Sequence, residues 1–395
     1  MKINEERLTS ETKKLEQILG RKQFKRGYEN EFQNVAMYDE ILYSIGATPT
    51  YASEKIFTTQ QIEFINKMMD RGLHDLCAFY NQNGDIIQKG LTSYERILRS
   101  DPVLEMSPTY QLQHISFPMF KELLFEYYSQ YGNQIYKIVK KYVDEGRIEL
   151  GDSLDPTASG VYFGSNITKS GYITIHRNKK LSLFTLGVLV HELGHAIDFE
   201  TLHYPQSKNM NLFSDVLIEV PSYHFEMGLY DFLIKNNIHP NDAHALMSSL
   251  YQELSYFGKS FDALFNMEDF FIEDGGYVTN QNGKFVDYDG KEIEETEDLD
   301  EEKCDCKGSR KMDATEVLKY SLGMYIAAQT NQLASQDREA YIKDLLRFTT
   351  LRKESSLIES LERLGISQEQ FETASIIEPR IKDELTLTRK MWKFK

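Results

Sequence analysis

The sequence has little cysteine: three residues in 395, at Cys77, Cys304 and Cys306. Three unevenly spaced cysteines are too few for a disulfide framework, so we expect a protein of a reducing compartment, with the cytoplasm as the default location. Cys304 and Cys306 supply only two of the ligands that a soft metal needs. We therefore interpret them as free thiols in a loop.

Long apolar runs and an excess of positive charge are also missing. No segment approaches the length needed to span a bilayer, and the N-terminal segment carries charges throughout, so we expect neither secretion nor a membrane partner. The 45 basic residues against 61 acidic ones leave a net charge of -16. This charge repels phosphate backbones, which argues against a nucleic-acid partner, although it also serves solubility alone. The oligomeric state is left open.

Apolar residues make up 41% of the chain and aromatic residues 12%, which predicts a folded protein with a sizeable core. Their spacing of three and four residues predicts a mainly helical fold, with an N-terminal helical region over 1–130 and a second domain over 131–395. The predicted helices are Leu8–Leu19, Thr59–Asp70, Phe117–Tyr131, Gln134–Gly146, Leu181–Glu200, Leu212–Lys235, Asp242–Phe257, Ala314–Ala328, Arg338–Thr349, Lys353–Leu364 and Ser367–Ala374.

Two stretches alternate apolar and polar residues and are rich in β-formers: Ser159–Phe163 and Tyr172–Asn178. They predict two strands of a small sheet just before the most apolar helix. Residues 274–312 predict a hairpin and an exposed loop, because Asn-Gly and Asp-Gly pairs flank short β-like runs before the acidic series Glu292–Glu302.

The most informative motif is His191-Glu192-Leu193-Gly194-His195. Four residues make about one helical turn, so both imidazoles project from one face and can grip a single ion. Glu192 then lies beside the ion, where a carboxylate can take a proton from water held by the metal. This pattern is typical of a zinc hydrolase.

A catalytic zinc usually takes three protein ligands, so a third must be found. Glu219 lies 24 residues after His195, within the apolar segment DVLIEVPSYHFE. A carboxylate in such a segment is costly to bury without a cation, which favours Glu219 as the third ligand. One alternative is that Glu219 forms a buried salt bridge. The other is that His203 is the third ligand, although the sequence lacks the glycine-centred turn that would direct His203 back to the metal.

Three further carboxylates are placed to accept the second ring N–H of a ligand histidine: Asp198, Asp215 and Glu226. A solvated or salt-bridged role stays open for each. His224 is five residues from Glu219, so we expect it to point away from that face and to serve packing or to lie at the surface.

Together, SGVYFGSNITKSGYITIHRNKKLSLFTLGVLVHELGHAID and DVLIEVPSYHFE resemble the thimet oligopeptidase and oligoendopeptidase F family. In that family a Ser-Gly-Ala-Tyr-like strand and a second strand precede the HExGH helix, and the third ligand opens a Glu-x-Pro-Ser pattern, here Glu219-Val220-Pro221-Ser222. YSLGMYIAAQ and the segments after it are similar to the family's closing helices. The resemblance covers roughly residues 130–395.

The resemblance implies a gluzincin-type zincin catalytic domain over 131–395, with its small β-sheet beside the active-site helix and the helices of 1–130 walling a substrate channel. It also implies one Zn²⁺ per chain. Family members use tyrosines to stabilise the oxyanion, and Tyr320 occupies the matching position, with Tyr325 as a second candidate. An additional tyrosine of the family matches Val317 or Leu318 here, and a family histidine has no counterpart near Gly308.

A peptide substrate could pair with an exposed sheet edge, for which Gly160, Val161, Tyr162 and Phe163 are the candidates. An ordinary buried strand is the other interpretation. The expected activity is that of a zinc metalloendopeptidase acting on oligopeptides or unstructured segments. Two alternatives stay open: a zinc carboxypeptidase that trims C-termini, and a catalytically weak peptide-binding regulator.

Overall fold

The computed structural model describes residues 82–98, 112–151, 159–165, 170–176, 181–202, 217–265, 271–273, 277–279, 314–335, 337–348 and 356–393. The first of these is a helix, α1. The helices predicted at Leu8–Leu19 and Thr59–Asp70 lie outside the described residues, and so does most of the N-terminal region. Over the described residues the predicted mainly helical fold with a small sheet is confirmed.

Helices α2 (Phe117–Tyr128) and α3 (Gly132–Asp144) are joined by a single 3-10 turn, Ser129–Tyr131. Helix α2 begins where expected because the Ser116 side chain accepts a hydrogen bond from the Met119 amide. Helix α3 is amphipathic and buries Ile135, Val139 and Tyr142. Both helices contact the helix that spans residues 183–202.

The small sheet contains β1 (Ile148–Gly151), β2 (Gly160–Ser165) and β3 (Ser170–His176), in the order β1-β3-β2. Strand β3 is central: it pairs parallel with β1 and antiparallel with β2. Strands β2 and β3 were predicted, whereas β1 was missed because four residues are too few to show a period. Within the described residues β2 pairs on one side only, so the predicted edge strand lies at an edge.

Helices α4 (Leu183–Leu202) and α5 (Glu219–Lys235) pack closely against each other. Both are apolar on nearly every face, as a helix surrounded by protein must be. The second was predicted to begin at Leu212, and 203–216 lie outside the described residues. Pro221 falls in the first turn of α5, where its missing N–H leaves no helical hydrogen bond unmade.

Helix α6 (Pro240–Phe265) extends beyond its predicted end, and α7 (Ala314–Ala334) does the same. Between them, β4 (Phe271–Glu273) and β5 (Tyr277–Thr279) form an antiparallel hairpin. This hairpin precedes the Asn-Gly and Asp-Gly pairs on which the prediction for 274–312 rested. The acidic series and the two nearby cysteines lie outside the described residues.

The chain closes with α8 (Arg338–Phe348), α9 (Leu357–Arg363), α10 (Gln368–Thr373) and α11 (Glu378–Lys393). Helix α11 was not predicted, because half of its residues are charged and its apolar residues are few. It is held to α5 by an ion pair from Arg380 to Asp231 at 2.6 Å, and to α6 by a hydrogen bond between Glu384 and His244 at 2.6 Å. Within the described part of the chain, no helix has the length and apolar character that crossing a membrane requires.

His224 is fully buried on α5, so its predicted packing role is the one observed. The Thr330 hydroxyl donates to the Ala327 carbonyl and therefore accepts from His224 Nδ1, 3.0 Å away. The ring also stacks on Tyr341. Burial, with help from Arg338, lowers the pKa of His224 to about 3, so the ring is neutral in the folded protein.

This buried neutral ring makes stability depend on pH. Between its folded pKa of about 3 and its unfolded value, the unfolded chain binds the extra proton, so stability falls as pH falls through that window. We expect the His224→Asn variant, whose amide can still donate to Thr330, to lose less stability on acidification. The unfolding free energy of the wild type, relative to that of His224→Asn, should therefore fall by about 1 kcal/mol for each pH unit below pH ~6.5. Urea titrations from pH 7 to 5 measure it, with His239→Asn as control; parallel curves for wild type and His224→Asn contradict the expectation.

Candidate metal centre

His191 and His195 lie one turn apart on α4, and Glu219 opens α5 opposite them. The Glu219 Oε2 atom is 3.2 Å from His191 Nε2 and 3.5 Å from His195 Nε2. The three potential ligand atoms all lie within 4.8 Å of one another. Two imidazole nitrogens and one carboxylate oxygen are the donors that catalytic zinc takes, so these residues fit such an ion.

The two helices can bring these ligands together because Gly194 stands between the histidines. A Cβ atom at Gly194 would lie 2.5 Å from Ser222 Cα, closer than real contacts allow, and 3.0 Å from Ser222 N. The absence of a side chain therefore lets the α5 backbone touch α4 beside the ligands. The sequence motif predicted the two histidines of the site, but it did not predict that Gly194 allows α5 to approach α4 so closely.

His191 is held by a chain of hydrogen bonds on the side away from Glu219. Its Nδ1 atom is 3.1 Å from Glu226 Oε2, and Glu226 Oε1 accepts from the Tyr230 hydroxyl at 3.0 Å. A proton on Nδ1 leaves the Nε2 lone pair for a metal. Burial lowers the pKa of His191, but its two carboxylate partners outweigh burial and raise that pKa well above its usual range.

His195 stacks on Tyr162 of β2, with 6.4 Å between ring centres and 21° between ring planes. Its Nδ1 atom is buried and has no hydrogen-bond partner among the described residues. Asp198 is buried on the same helix, while Asp215 lies outside the described residues. A contact of the predicted kind is therefore present between Glu226 and His191, while the supporting role stays a prediction for Glu226 and for the two aspartates.

Glu219 is almost fully buried, with 2% of its side chain exposed. Its second oxygen, Oε1, lies 2.8 Å from the Lys319 ammonium of α7. Burial raises the pKa of Glu219, but Lys319 and then the histidines outweigh it, and the pKa falls well below the usual range. The salt bridge that was the alternative to a ligand role is thus present on one oxygen, while the other oxygen faces the histidines.

Glu192 is buried beside the ligands, and the edge strand lies directly against it. A Cβ atom at Gly160 would come within 2.9 Å of Glu192 Cγ and 3.0 Å of its Oε1. Burial raises the pKa of Glu192, and the cationic groups around it, His191 first, oppose that shift. Strand β2 thus brings a backbone edge next to the candidate general base.

The two candidate tyrosines differ in their surroundings. Tyr325 is fully buried, donates its hydroxyl hydrogen bond to the Phe371 carbonyl, and packs edge-on against Tyr94 and Phe371. The Tyr325 hydroxyl therefore belongs to the core, and its catalytic role stays a prediction with no supporting contact among the described residues. Tyr320 is half-buried, and the Lys319 ammonium lies 5.0 Å from its ring centre.

Within β2, Gly160, Val161, Tyr162 and Phe163 pair in register with β3, from Ile175 to Tyr172. Only the backbone of Phe163 is described.

Lys319 was not predicted as part of the site from the sequence. A lysine within the apolar run VLKYSLG, one turn before Gly323, was nevertheless a signal of a buried cation.

No protein-family model and no curated protein matches this sequence. Solved structures do match its fold. One is described as an oligoendopeptidase F from Bacillus anthracis, with 12% identity over 96% of this chain and 74% of the other, at a TM-score of 0.54. Another, PZ peptidase A with an inhibitor, has 13% identity over 91% of this chain and 67% of the other, at 0.51. The fold is therefore that of the oligoendopeptidase F structures, as the resemblance implied.

Proposed function

We propose that this protein is a zinc metallopeptidase that hydrolyses peptide bonds in oligopeptides or unstructured segments. One observation carries the proposal: three ligand atoms of the zinc-binding kind converge, and Glu192 is buried on the same helix beside them. The fold shared with oligoendopeptidase F supports it. One ion per chain fits the single such cluster among the described residues.

In this proposal His191, His195 and Glu219 hold the zinc. A zinc ion in such a site acidifies bound water and polarises a carbonyl oxygen. Glu192 takes the proton of the attacking water and passes it to the leaving amine, which needs a carboxylate that is buried yet still ionised. The opposing effects of burial and nearby cations on the pKa of Glu192 suit that task.

Strand β2 is the proposed platform for substrate. An extended peptide can add to a free sheet edge by main-chain hydrogen bonds, which favours unstructured peptides over folded proteins. The contact between Gly160 and Glu192 would bring a scissile carbonyl on that edge close to the base. Tyr320 is the proposed donor to the oxyanion, because its position beside Lys319 puts it on the part of α7 that contacts the ligand Glu219.

Metal removal tests the proposal. We expect purified protein to carry about one zinc per chain and to cleave members of a mixed peptide library, since a catalytic zinc site binds a single ion. A zinc chelator should abolish cleavage and added zinc should restore it. Mass spectrometry of the products separates internal cuts from stepwise C-terminal trimming, and the latter would mean a carboxypeptidase. Zinc-containing protein that binds the peptides without cutting them would instead identify the regulator, and cleavage unaffected by metal removal would refute the proposal.

A further inference from the structure

The two oxygens of Glu219 face different partners. Oε2 faces the Nε2 atoms of His191 and His195, at 3.2 and 3.5 Å, whereas Oε1 lies 2.8 Å from the Lys319 ammonium. A carboxylate can bind a metal through one oxygen or through both. In this arrangement one oxygen already has a charged hydrogen-bond donor, and such bonds are among the strongest in proteins.

Helix α7 fixes this arrangement from two sides. Gly323, one turn after Lys319 and on the same face, lies so close that its Cβ atom would be 2.6 Å from Glu219 Cβ. The stem of Glu219 is therefore pressed against the α7 backbone while its outer oxygen is held by the same helix. Because only 2% of the Glu219 side chain is exposed, Lys319 and not bulk water is the partner of Oε1 in the folded protein.

Building on the proposed zinc peptidase function, we propose that Lys319 is a positioning residue that reserves Oε1, so that Glu219 binds the metal through Oε2 alone. A one-oxygen ligand leaves a coordination position open for water and the substrate carbonyl, which a catalytic site needs. The lysine also reduces the negative charge of the ligand set. The site then favours turnover over the tightest metal binding.

The Lys319→Met variant removes the charge and the donor while keeping an unbranched apolar stem. Glu219 Oε1, left buried without a partner, should then turn to the metal. We expect a roughly tenfold fall in kcat/KM together with roughly tenfold tighter zinc binding, the lower end of what partners of metal ligands contribute. A purely structural lysine predicts the opposite for affinity, because a disordered ligand weakens binding.

Cobalt substitution gives a readout that does not depend on activity. The visible d–d absorption of cobalt weakens when its coordination number increases, so Lys319→Met should show a weaker band than wild type. Lys319→Arg, which keeps the charge and the donors, should retain the wild-type band. If Lys319→Met does not fold, Lys319→Leu, which is shorter and has neither charge nor donor, should show the same weaker band.

Lys141 provides a matched control. It pairs with Glu200 at 3.0 Å, with 33% of its side chain exposed against 26% for Lys319, and Glu200 lies on the ligand helix α4 without being a ligand. Lys141→Met should leave zinc affinity and the cobalt band unchanged. An unaltered cobalt band in Lys319→Met, or weaker zinc binding, overturns the inference. Failure of the wild-type protein to bind zinc at all would overturn the proposed function instead.

Discussion

Replacing Glu192 by glutamine is expected to lower peptide cleavage by a factor of about 100 to 10,000, the range attributed to a general base, while zinc content stays at the wild-type level. The amide has nearly the same shape as the carboxylate, so packing against Gly160 of β2 is preserved. The glutamine amide, unlike the carboxylate, cannot accept the proton of the attacking water. Metal analysis and kcat/KM on the same preparations measure the two effects separately.

Glu200→Gln is the matched control for this experiment. Glu200 lies on the same helix, two turns beyond Glu192, and pairs with Lys141 instead of facing the ligands. We expect the control to cleave at close to the wild-type rate. Equal loss in both variants would show that the effect comes from disturbance of α4, and full activity in Glu192→Gln would remove the general base from the proposal.

The cluster of candidate ligands was predictable because most of its information is local. His191 and His195 are four residues apart, and residues at that spacing lie on the same face of any helix. Their proximity could therefore be predicted without knowledge of the tertiary structure. Glu219 was found by a cost argument, since an acid in an apolar helix requires a cation. The same argument did not reveal that Lys319 pairs with Glu219, because Lys319 is 100 residues away in sequence.

The elements that were missed lack a local signal for physical reasons. Strand β1 is four residues long and is stabilised by pairing with β3. Half of the residues of helix α11 are charged, and its burial depends on partners in α5 and α6, such as Asp231 for Arg380. Tyr325 shares its residue type with Tyr320 and lies on the same helix, and only the position of Phe371 decides that its hydroxyl faces the core.

The roles of three glycines around the candidate site also could not be predicted from local sequence. Gly160, Gly194 and Gly323 each stand where a side chain would collide with Glu192, Ser222 or Glu219. Each permits one element to approach another: β2 to α4, α4 to α5, and α7 to α5. A single sequence shows that these residues are glycines, but the close approaches that require them exist only in the folded protein.

The Glu219→Gln variant is expected to lose zinc affinity by more than about 100-fold, beyond the range for residues that only support ligands. The amide is a poorer ligand, and it leaves the Lys319 ammonium beside the metal without its counter-ion. Cleavage should fall with zinc occupancy and recover in part at high zinc concentration. Competition with a coloured chelator measures the affinity.

Comparison with Glu226 makes this prediction specific. Glu226→Gln removes the carboxylate that accepts from His191 Nδ1 but keeps all three ligands, so we expect an affinity loss within about 10- to 100-fold. Glu192→Gln should lose none. The loss of zinc affinity should therefore be largest for Glu219, the proposed ligand, and intermediate for Glu226, which contacts a ligand. It should be smallest for Glu192, which is proposed to contact only the attacking water. A loss at Glu192 as large as that at Glu219 would mean that the two carboxylates have been assigned the wrong roles.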